Sequence, residues 1–335
     1  MSFRDIKGQD WALGILRENI SKNCVFPSYL FVGPDGVGKS EVAKNFAKTV
    51  NCLDAAKDFG QFEPCDRCAS CNKINLRIHP DVFFVEPKGL SLSITIDQIR
   101  AVIAKANLKP YEGKKKVFIL DKAHSMNNEA SNAFLKTLEE PPKDTVFILM
   151  SRSKEALLST VVSRCYVIRF FTAPLETVEN IIMEKFGTER DQARILSNFS
   201  CGRIGEAIKM NEEKFIERKN RIIDSLLNTG KGLLKELEAY SDKEELKMDL
   251  EFLVSFFRDI FLYKAIKNEK NLFHIDRIAE IKSRCGRFTL EGLDYMIKRI
   301  IVLRSYIDRN VNPKIVVDVL TNEVRRFMLA EALSS

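Results

Sequence analysis

Residues 28–40 read SYLFVGPDGVGKS, a short apolar strand that runs directly into a glycine-rich loop. The loop fits the pattern G-x-x-x-x-G-K-S/T, and residues 41–50 continue with apolar side chains at helical spacing. Strand, glycine loop and helix in this order predict a phosphate-binding loop, because its backbone N–H groups and the helix N-terminus attract anions. The alternative is a glycine-rich turn that binds no ligand, and the flanking strand and helix argue against it.

The loop supplies most of a candidate nucleotide site. Lys39 is placed to reach the β- and γ-phosphates of a nucleotide, and the Ser40 hydroxyl to hold Mg²⁺. The predicted nucleotide-binding residues of the loop are Gly33, Pro34, Asp35, Gly36, Val37, Gly38, Lys39 and Ser40.

A second nucleotide motif is predicted at VFILD, residues 117–121. Asp121 ends an apolar run that is typical of a buried strand, and an acid there can reach the Mg²⁺ held by the loop. The alternative is that Asp121 only caps a loop. Nucleotide-hydrolysing relatives of such motifs usually carry Glu at the next position, where this chain has Lys122. Since a lysine is no base for water at neutral pH, we expect nucleotide to bind and to be hydrolysed poorly.

The composition is typical of a globular protein with two to three domains. The chain has 335 residues, 45% of them hydrophobic and 30% charged, and a net charge of +7 that permits nucleic-acid contact without requiring it. No run of about 18 apolar residues exists, so no membrane span is expected. The first residues, MSFRDIKGQD, lack an apolar signal core. We therefore expect a cytoplasmic protein.

The order of predicted elements indicates an α/β domain followed by helices. Strands alternating with helices predict a parallel sheet covered on both faces. After Pro174 no strand pattern is found, and the later apolar stripes, such as Phe252, Phe256, Ile260 and Tyr263, predict an all-helical domain. The predicted strands are 28–32, 81–87, 117–121, 145–150 and 165–170; the predicted helices are 4–20, 41–50, 96–106 and 127–140, then 214–228, 231–238, 243–269, 273–284, 290–309 and 313–333.

A cysteine cluster predicts a metal site. Cys65, Cys68 and Cys71 are spaced by two residues, and Cys52 at the end of the loop helix can supply a fourth ligand. Four thiolates suit a tetrahedral structural Zn²⁺ site. An iron–sulfur cluster is the alternative, but its common run continues with a further cysteine and a proline, which this chain lacks. The four other cysteines, Cys24, Cys165, Cys201 and Cys285, are scattered and predicted to be packed thiols.

Arg164 is a candidate catalytic residue that would act on another subunit. The sequence Ser163-Arg164-Cys165 lies between the fourth and fifth predicted strands. An arginine there is either an ordinary surface charge or an arginine finger that reaches the nucleotide of a neighbouring subunit. His79 and His124, by contrast, have no catalytic partner visible in the sequence and are predicted to be structural.

Together these segments resemble the clamp-loader branch of the AAA+ ATPases, and the resemblance covers nearly the whole chain. Within that branch the chain is most similar to subunits of the delta-prime type from bacterial DNA polymerase III. Three features favour that type over the gamma/tau motor subunit. Lys122 follows Asp121, Gly205 stands where the motor subunits carry their sensor-two arginine, and the chain ends soon after the last helical domain. The matching segments are GQDWA (8–12), GPDGVGKS (33–40), the four cysteines, HPD (79–81), IDQIR (96–100), NAFLKTLEEPP (132–142), SRC (163–165) and NVNPK (310–314).

The resemblance implies a fold, a set of partners and a role. The implied domains are a RecA-like nucleotide domain, residues 1–172, that carries a zinc module at 52–71, a small helical lid, 173–212, and a helical collar, 213–335. The implied role is that of a stator in a hetero-pentamer with delta and gamma/tau subunits, which donates Arg164 to the ATP of the adjacent motor. The implied partners also include the sliding clamp and primer-template DNA, and the implied cofactors are ATP or ADP with Mg²⁺ and structural Zn²⁺.

Two other functions remain open from the sequence. One is a gamma/tau-type motor ATPase. ATP turnover by the isolated chain that Lys39→Ala abolishes would indicate this function. The other is an unrelated P-loop kinase, against which the long helical region and the lack of an evident acceptor pocket argue. Nothing in the sequence resembles a polymerase active site.

Overall fold

The computed structural model describes residues 3–54, 56–58, 61–89, 92–228, 232–240, 242–269 and 271–332. Strands and helices alternate in the first half of the chain, and the second half is helical. The elements of the first half are α1 (Asp10–Ser21), β1 (Ser28–Val32), α2 (Lys39–Asn51), β2 (Ala56–Asp58), β3 (Gln61–Glu63), α3 (Ala69–Asn75), β4 (Val82–Val85), α4 (Ile96–Ala106), β5 (Lys116–Leu120), α5 (Asn128–Glu139), β6 (Thr145–Ser151), α6 (Ser159–Val162) and β7 (Tyr166–Arg169).

The second half continues with helices α7 to α15. Single 3-10 turns lie at Phe3–Asp5, Ala123–Ser125 and Ile275–Arg277. The helices are α7 (Leu175–Phe186), α8 (Arg190–Ser200), α9 (Ile204–Glu212), α10 (Phe215–Leu227), α11 (Leu233–Glu238), α12 (Lys243–Ile266), α13 (Ile278–Arg284), α14 (Leu290–Asp308) and α15 (Pro313–Ala332).

Five parallel strands form one sheet, in the order β4-β5-β6-β1-β7. The strand that leads into the glycine loop therefore lies inside the sheet, between β6 and β7. A separate antiparallel pair, β2 and β3, follows α2. The α/β fold class with a parallel sheet is confirmed, and the predicted strands correspond to β1, β4, β5, β6 and β7.

The sheet is buried on both faces, as the continuous apolar runs of its strands predict. Successive side chains of a strand point to opposite faces, so neighbours along one strand enter different cores. Tyr29 and Phe31 of β1 pack with residues of α1 and α2 on one face. Leu30, between them, packs on the other face with residues of α4 and α5.

The predicted helix over residues 4–20 is partly wrong, because α1 begins only at Asp10. Gly8 has a φ of +75°, and a Cβ built there would lie 2.7 Å from the Cβ of Ala173. This left-handed, closely approached position separates the turn at Phe3–Asp5 from α1. The predicted helix over 96–106, by contrast, coincides with α4, which a capping box of Thr95 and Gln98 begins.

The helical half packs on seams at three- and four-residue spacing. In α12, Phe252, Phe256 and Ile260 are buried, as the sequence predicts. In α14, Met296 is buried and the next residue, Ile297, is only half-buried. Steps of three and four residues alternate along the buried face of this helix. The buried residues of α14 are Leu293, Met296, Ile300, Leu303 and Ile307.

The chain divides into two compact units. The first holds the residues up to Val178 together with Cys201–Glu206, and the second holds Glu179–Ser200 and the residues from Ala207 onward. The three-domain division at 1–172, 173–212 and 213–335 stays a prediction. No helix in the described part of the chain combines the length and the apolar character that a membrane span requires.

Candidate functional site

The predicted phosphate loop connects β1 to α2 at the carboxyl edge of the sheet. Its first glycine continues the sheet's hydrogen bonding, since the Gly33 N–H donates to the carbonyl of Ser151 at 3.1 Å. Helix α2 starts at Lys39, with Gly38 before it in the left-handed region at a φ of 102°. This edge of an open parallel sheet is where α/β proteins place their ligands.

The Lys39 ammonium is buried and bonded to its own loop. Its side chain is 8% exposed. Nζ donates to the carbonyls of Gly33 and Pro34, the latter at 2.7 Å. Burial lowers the pKa of Lys39, and the carboxylates of Asp35 and Asp121 oppose that shift. The close hydrogen-bond partners of this lysine are thus carbonyl oxygens of its own loop, which phosphate oxygens can replace.

An ion pair that sequence reasoning missed lies beside this lysine. Arg152 follows β6 directly, and its Nε donates to a carboxylate oxygen of Asp35 at 2.6 Å. The same carboxylate lies 3.8 Å from Lys39 Nζ. Burial opposes ionisation of Asp35, but the Arg152 guanidinium lowers its pKa below the usual value. The available signal was the position of Arg152 at the end of a buried strand next to β1.

Asp121 directly follows β5, the buried strand whose end it is predicted to form. Its N–H donates to the Val85 carbonyl at 2.8 Å, and its carboxylate accepts the N–H of Lys122 at 2.9 Å. Lys122 itself is exposed and has a φ of 47°. Burial lowers the pKa of Lys39, and the Asp121 carboxylate opposes that shift, so the acid interacts electrostatically with the loop. Ser40 is exposed at the start of α2; its predicted role and that of Asp121 towards Mg²⁺ stay predictions.

Gln9 braces the phosphate loop from the N-terminal side. It is buried, and its side-chain amide donates to the carbonyls of Val37 at 3.1 Å and Phe171 at 2.7 Å. Its own amide oxygen accepts the Phe171 N–H at 3.3 Å. The loop is thereby connected to the segment after β7. In the sequence Gln9 stood out only as part of the segment GQDWA.

The phosphate loop also contacts the backbone of Gly205 directly, through a bond between main-chain groups. The Gly205 N–H donates to the Gly36 carbonyl at 2.7 Å. A Cβ built on Gly205 would lie 3.0 Å from that carbonyl oxygen, and one on Gly36 would lie 3.1 Å from the Glu206 nitrogen. Two glycines therefore permit the close approach, and a longer residue at position 205 requires the contact to open.

The four predicted metal ligands lie together at the other end of α2. The Sγ atoms of Cys52, Cys65, Cys68 and Cys71 are all within 4.8 Å of one another. Cys52 Sγ is 3.7 Å from Cys71 Sγ and 4.0 Å from Cys68 Sγ. A tetrahedral site with metal–sulfur bonds of about 2.3 Å has sulfur–sulfur distances of about 3.8 Å. The cluster thus has the donor set and the spacing to hold one metal ion, Cys52 included.

The thiols of the cluster differ in acidity. Burial raises the pKa of Cys52 and of Cys71. Burial also opposes ionisation of Cys68, but backbone N–H groups of Cys71 and Leu53 point at its sulfur and lower its pKa to about 6. Such N–H groups aimed at sulfur are the usual surroundings of a thiolate ligand.

The segment HPD, residues 79–81, is a structural joint next to this cluster. The Asp81 carboxylate accepts the backbone N–H groups of Tyr111, Glu112 and Gly113, each at 2.8 Å. His79 is buried, with Nε2 3.2 Å from the Ser70 hydroxyl. These contacts connect the segment after α3 to the turn before β5. No reacting group is among them.

Arg164 lies one residue after the C-cap of the short helix α6, as its place between β6 and β7 predicts. One guanidinium nitrogen donates to the Thr160 carbonyl at 2.7 Å, and another pairs with the Glu139 carboxylate at the end of α5. The side chain remains 28% exposed. The neighbouring Cys165 is packed, and burial raises its pKa to about 12. A finger role for Arg164 stays a prediction.

Comparison with known proteins places the chain in a family. The model described as "DNA polymerase III, delta subunit" matches residues 8–174, and the corresponding C-terminal model matches residues 213–322. The chain belongs to the DNA polymerase III delta-subunit family. It is 29% identical over 313 residues to DNA polymerase III subunit delta' of Bacillus subtilis (strain 168), covering 91% of this chain and 92% of that protein. The resemblance to delta-prime subunits and to the clamp-loader branch is confirmed at the level of the family.

Other similarities agree with this membership. The chain is 29% identical over 291 residues to subunit tau of the same organism, which covers 78% of this chain and 50% of that subunit. Among solved structures, a DNA polymerase III gamma subunit-related protein from Thermotoga maritima is 21% identical, with a TM-score of 0.51 and coverage of 95% and 99% of the two chains. At that identity the structural similarity supports the fold alone.

Proposed function

We propose that this chain is a stator subunit of the delta-prime type in a bacterial clamp loader, which supports loading of the sliding clamp onto primed DNA during replication. The observation that carries the proposal is the match to a delta' subunit over 91% of the chain, across both compact units. Its partners are then delta and gamma/tau subunits in a hetero-pentamer, together with the clamp and primer-template DNA. The same proposal includes the cytoplasmic location expected from the sequence.

The phosphate loop binds Mg-ATP or Mg-ADP in this proposal. Nucleotide phosphates replace the carbonyls of Gly33 and Pro34 as partners of Lys39, while Ser40 and Asp121 hold the cation. The proposed nucleotide ligands are those predicted from the sequence, and Arg152 adds a positive charge beside them.

Poor hydrolysis follows from two positions in the same unit. Lys122 stands next to Asp121 where an acid would polarise the attacking water, and a lysine there supplies no carboxylate to accept the proton of that water. Gly205 has no side chain with which to reach the nucleotide, and its backbone fills the space against Gly36. Both observations favour a stator over a motor subunit.

The cysteine cluster holds structural Zn²⁺ in this proposal. Four sulfur donors around one point leave no ligand position for a substrate, and such closed sites serve stability. When bound, the ion cross-links the end of α2 to the segment that carries Cys65, Cys68 and Cys71. Iron–sulfur binding remains the outcome that elemental analysis would have to exclude.

Arg164 acts in this proposal on the nucleotide of the adjacent motor subunit. The transition state of phosphoryl transfer gathers negative charge, and an arginine supplied by a neighbour accelerates such reactions by roughly 10³–10⁵. The guanidinium is partly exposed, and its partner Glu139 is a surface carboxylate that a phosphate can replace. A lysine cannot reproduce the planar fork of donors.

The test is reconstitution with delta and gamma/tau subunits, followed by sizing of the complex and by ATPase assays with clamp and primed DNA. We expect a five-subunit complex whose stimulated ATPase is lost with Arg164→Ala, while folding, zinc content and assembly are unchanged. The matched control is Arg169→Ala, which removes an exposed arginine from the neighbouring strand β7.

Two results would contradict the proposal. If the chain joins no complex with those subunits, the stator function is wrong. If the complex assembles and the Arg164→Ala form keeps full stimulated activity, the finger role alone is wrong, and Arg164 is an ordinary surface charge. Rapid ATP turnover by the isolated chain would instead indicate the motor alternative.

A further inference from the structure

A buried polar node lies next to the four cysteines and contains none of them. Lys48 of α2 is fully buried, and its Nζ donates to the Asp66 carboxylate at 2.7 Å. The same carboxylate oxygen accepts the side-chain amide of Asn75 at 3.1 Å. Burial of a charged lysine costs free energy, so a lysine at this depth needs a partner of opposite charge. A function at this position would explain why an apolar residue does not occupy it.

The node joins the three segments that supply the four thiols. Lys48 lies one turn before Cys52 on α2, Asp66 lies between Cys65 and Cys68, and Asn75 ends the helix that carries Cys71. Asp66 has a φ of +58°, a conformation that Asp and Asn tolerate better than other non-glycine residues. The turn between Cys65 and Cys68 is thus held in shape by a carboxylate that reaches back to two helices.

The node also brings one positive charge, the Lys48 ammonium in its ion pair with Asp66, to the side of the cysteine cluster. Four thiolates around one divalent cation leave a net charge of −2, which a site shielded from water must balance. The Lys48 ammonium is bonded at 2.7 Å to Asp66, which lies between Cys65 and Cys68, so its charge is held beside the turn that carries two of the four sulfurs.

We propose that Lys48, Asp66 and Asn75 are positioning residues for the metal: they set the geometry of the cysteine cluster, and the Lys48 ammonium offsets part of its charge. This inference rests on the metal site of the proposed function. Outer partners of this kind typically change metal affinity by about 10–100-fold when they are removed. Removal of the Lys48 charge should also alter the electronic state of the metal–sulfur bonds.

The test uses the full chain and two measurements. The first is the rate at which bound Zn²⁺ is lost to an excess of chelator, for wild type, Lys48→Met and Asp66→Asn. The matched control is Lys73→Met, which removes a cation from α3, the helix that carries Cys71; its side chain is 41% exposed and pairs with the Glu112 carboxylate at 2.6 Å. Because loss of such partners lowers metal affinity by about 10–100-fold, we expect both node variants to lose zinc faster than wild type by a similar factor, and Lys73→Met to behave as wild type.

The second measurement distinguishes an effect of the Lys48 charge on the metal–sulfur bonds from a general structural effect of the substitution. With Co²⁺ in place of Zn²⁺, sulfur-to-cobalt charge-transfer absorption should move to lower energy in Lys48→Met, because the sulfur electrons lose a nearby positive charge. Zinc release at the wild-type rate from folded Lys48→Met or Asp66→Asn would overturn the inference, as would equally fast release from Lys73→Met. If wild type takes up neither ion, the proposed metal site is wrong and this inference with it. If Lys48→Met does not fold, Asp66→Asn decides alone, since Asn suits the same backbone conformation.

Discussion

The two ends of α2 each hold a buried lysine, and the two lysines differ in their partners. Lys39, at the first end, is bonded to carbonyls of its own loop and lies 3.8 Å from Asp35. Lys48, near the second end, is bonded to a carboxylate from another segment. A lysine held by one loop can exchange its partners without separating helices, whereas Lys48 cannot. The first end is thus suited to a ligand that binds and leaves, and the second to a permanent ion.

The largest effect is expected at the second end, where Cys68→Ser would remove one proposed ligand. Cys68 is also the N-cap of α3, and serine is a good N-cap, so the change isolates metal binding from capping. Because the binding free energy of a structural ion is partly folding free energy, we expect the first unit to lose about 4 kcal/mol of stability. For a unit of this size that lowers Tm by about 8–16 °C, which calorimetry can measure while the zinc content of each sample is determined alongside.

The control for this prediction is Cys24→Ser, which changes an exposed cysteine outside the cluster. It should leave both Tm and zinc content unchanged. If Cys68→Ser leaves Tm unchanged, or if the wild-type protein folds without metal, the second end of α2 does not hold a structural ion. Nucleotide affinity of the metal-loaded protein should not depend on Cys24.

A smaller effect is expected at the first end, from Lys39→Met. Loss of a charge-assisted bond to phosphate costs about 1.5–3 kcal/mol, so the affinity for Mg-ADP should fall about 10–100-fold in calorimetric titration. Zinc content should stay at the wild-type value, because the Cys52 thiol lies at the opposite end of the helix. Lys44→Met, which changes a lysine within the same helix but outside the loop, should bind nucleotide normally.

Two results with Lys39→Met would contradict the view that the first end of α2 binds an exchangeable ligand and the second a permanent ion. Unchanged nucleotide affinity would make the loop a turn without a ligand, the alternative left open by the sequence. A loss of zinc together with nucleotide would show that the two ends of α2 are one cooperative site.

The sequence predicts both ends of α2 because each is coded by spacing within one short segment. The glycine loop needs only residues 33–40, and three of the four thiols lie at Cys65, Cys68 and Cys71. Apolar runs likewise predict β5 and β6, since a strand buried on both faces has to be apolar throughout. These features depend on neighbours in the chain, and no knowledge of tertiary contacts is needed to find them.

The parts that escaped prediction depend on contacts between distant segments. Arg152 meets Asp35 across 117 positions, and Gln9 meets Phe171 across 162. Lys48 is missed for a different reason: in a helix, a lysine among apolar residues reads as the polar face, and only the fold shows it buried. The Gly205 contact with Gly36 is also invisible in the sequence, where Gly205 shows only as a missing arginine.

The smallest effect concerns the charge that lies beside the exchangeable lysine. The Asp35 carboxylate is close to Lys39 and opposes an incoming phosphate, while Arg152 partly neutralises it. Asp35→Asn should therefore tighten Mg-ADP binding. The pair is partly exposed to solvent, and exposed pairs contribute about 0.2–1 kcal/mol, so the gain in affinity should be about 1.4- to five-fold. The effect should shrink as salt is raised from about 0.05 to 0.5 M, because screening weakens it.

Arg152→Gln is the matched variant of opposite sign. It removes the cation and leaves the Asp35 carboxylate uncompensated next to Lys39, so nucleotide binding should weaken by a similar factor. Opposite shifts in the two variants would show that electrostatics at the loop sets affinity, as expected for a ligand that exchanges. If both variants change the affinity in the same direction, the Asp35–Arg152 pair stabilises the conformation of the loop. The first end of α2 would then depend on a fixed ion pair, as the second end does.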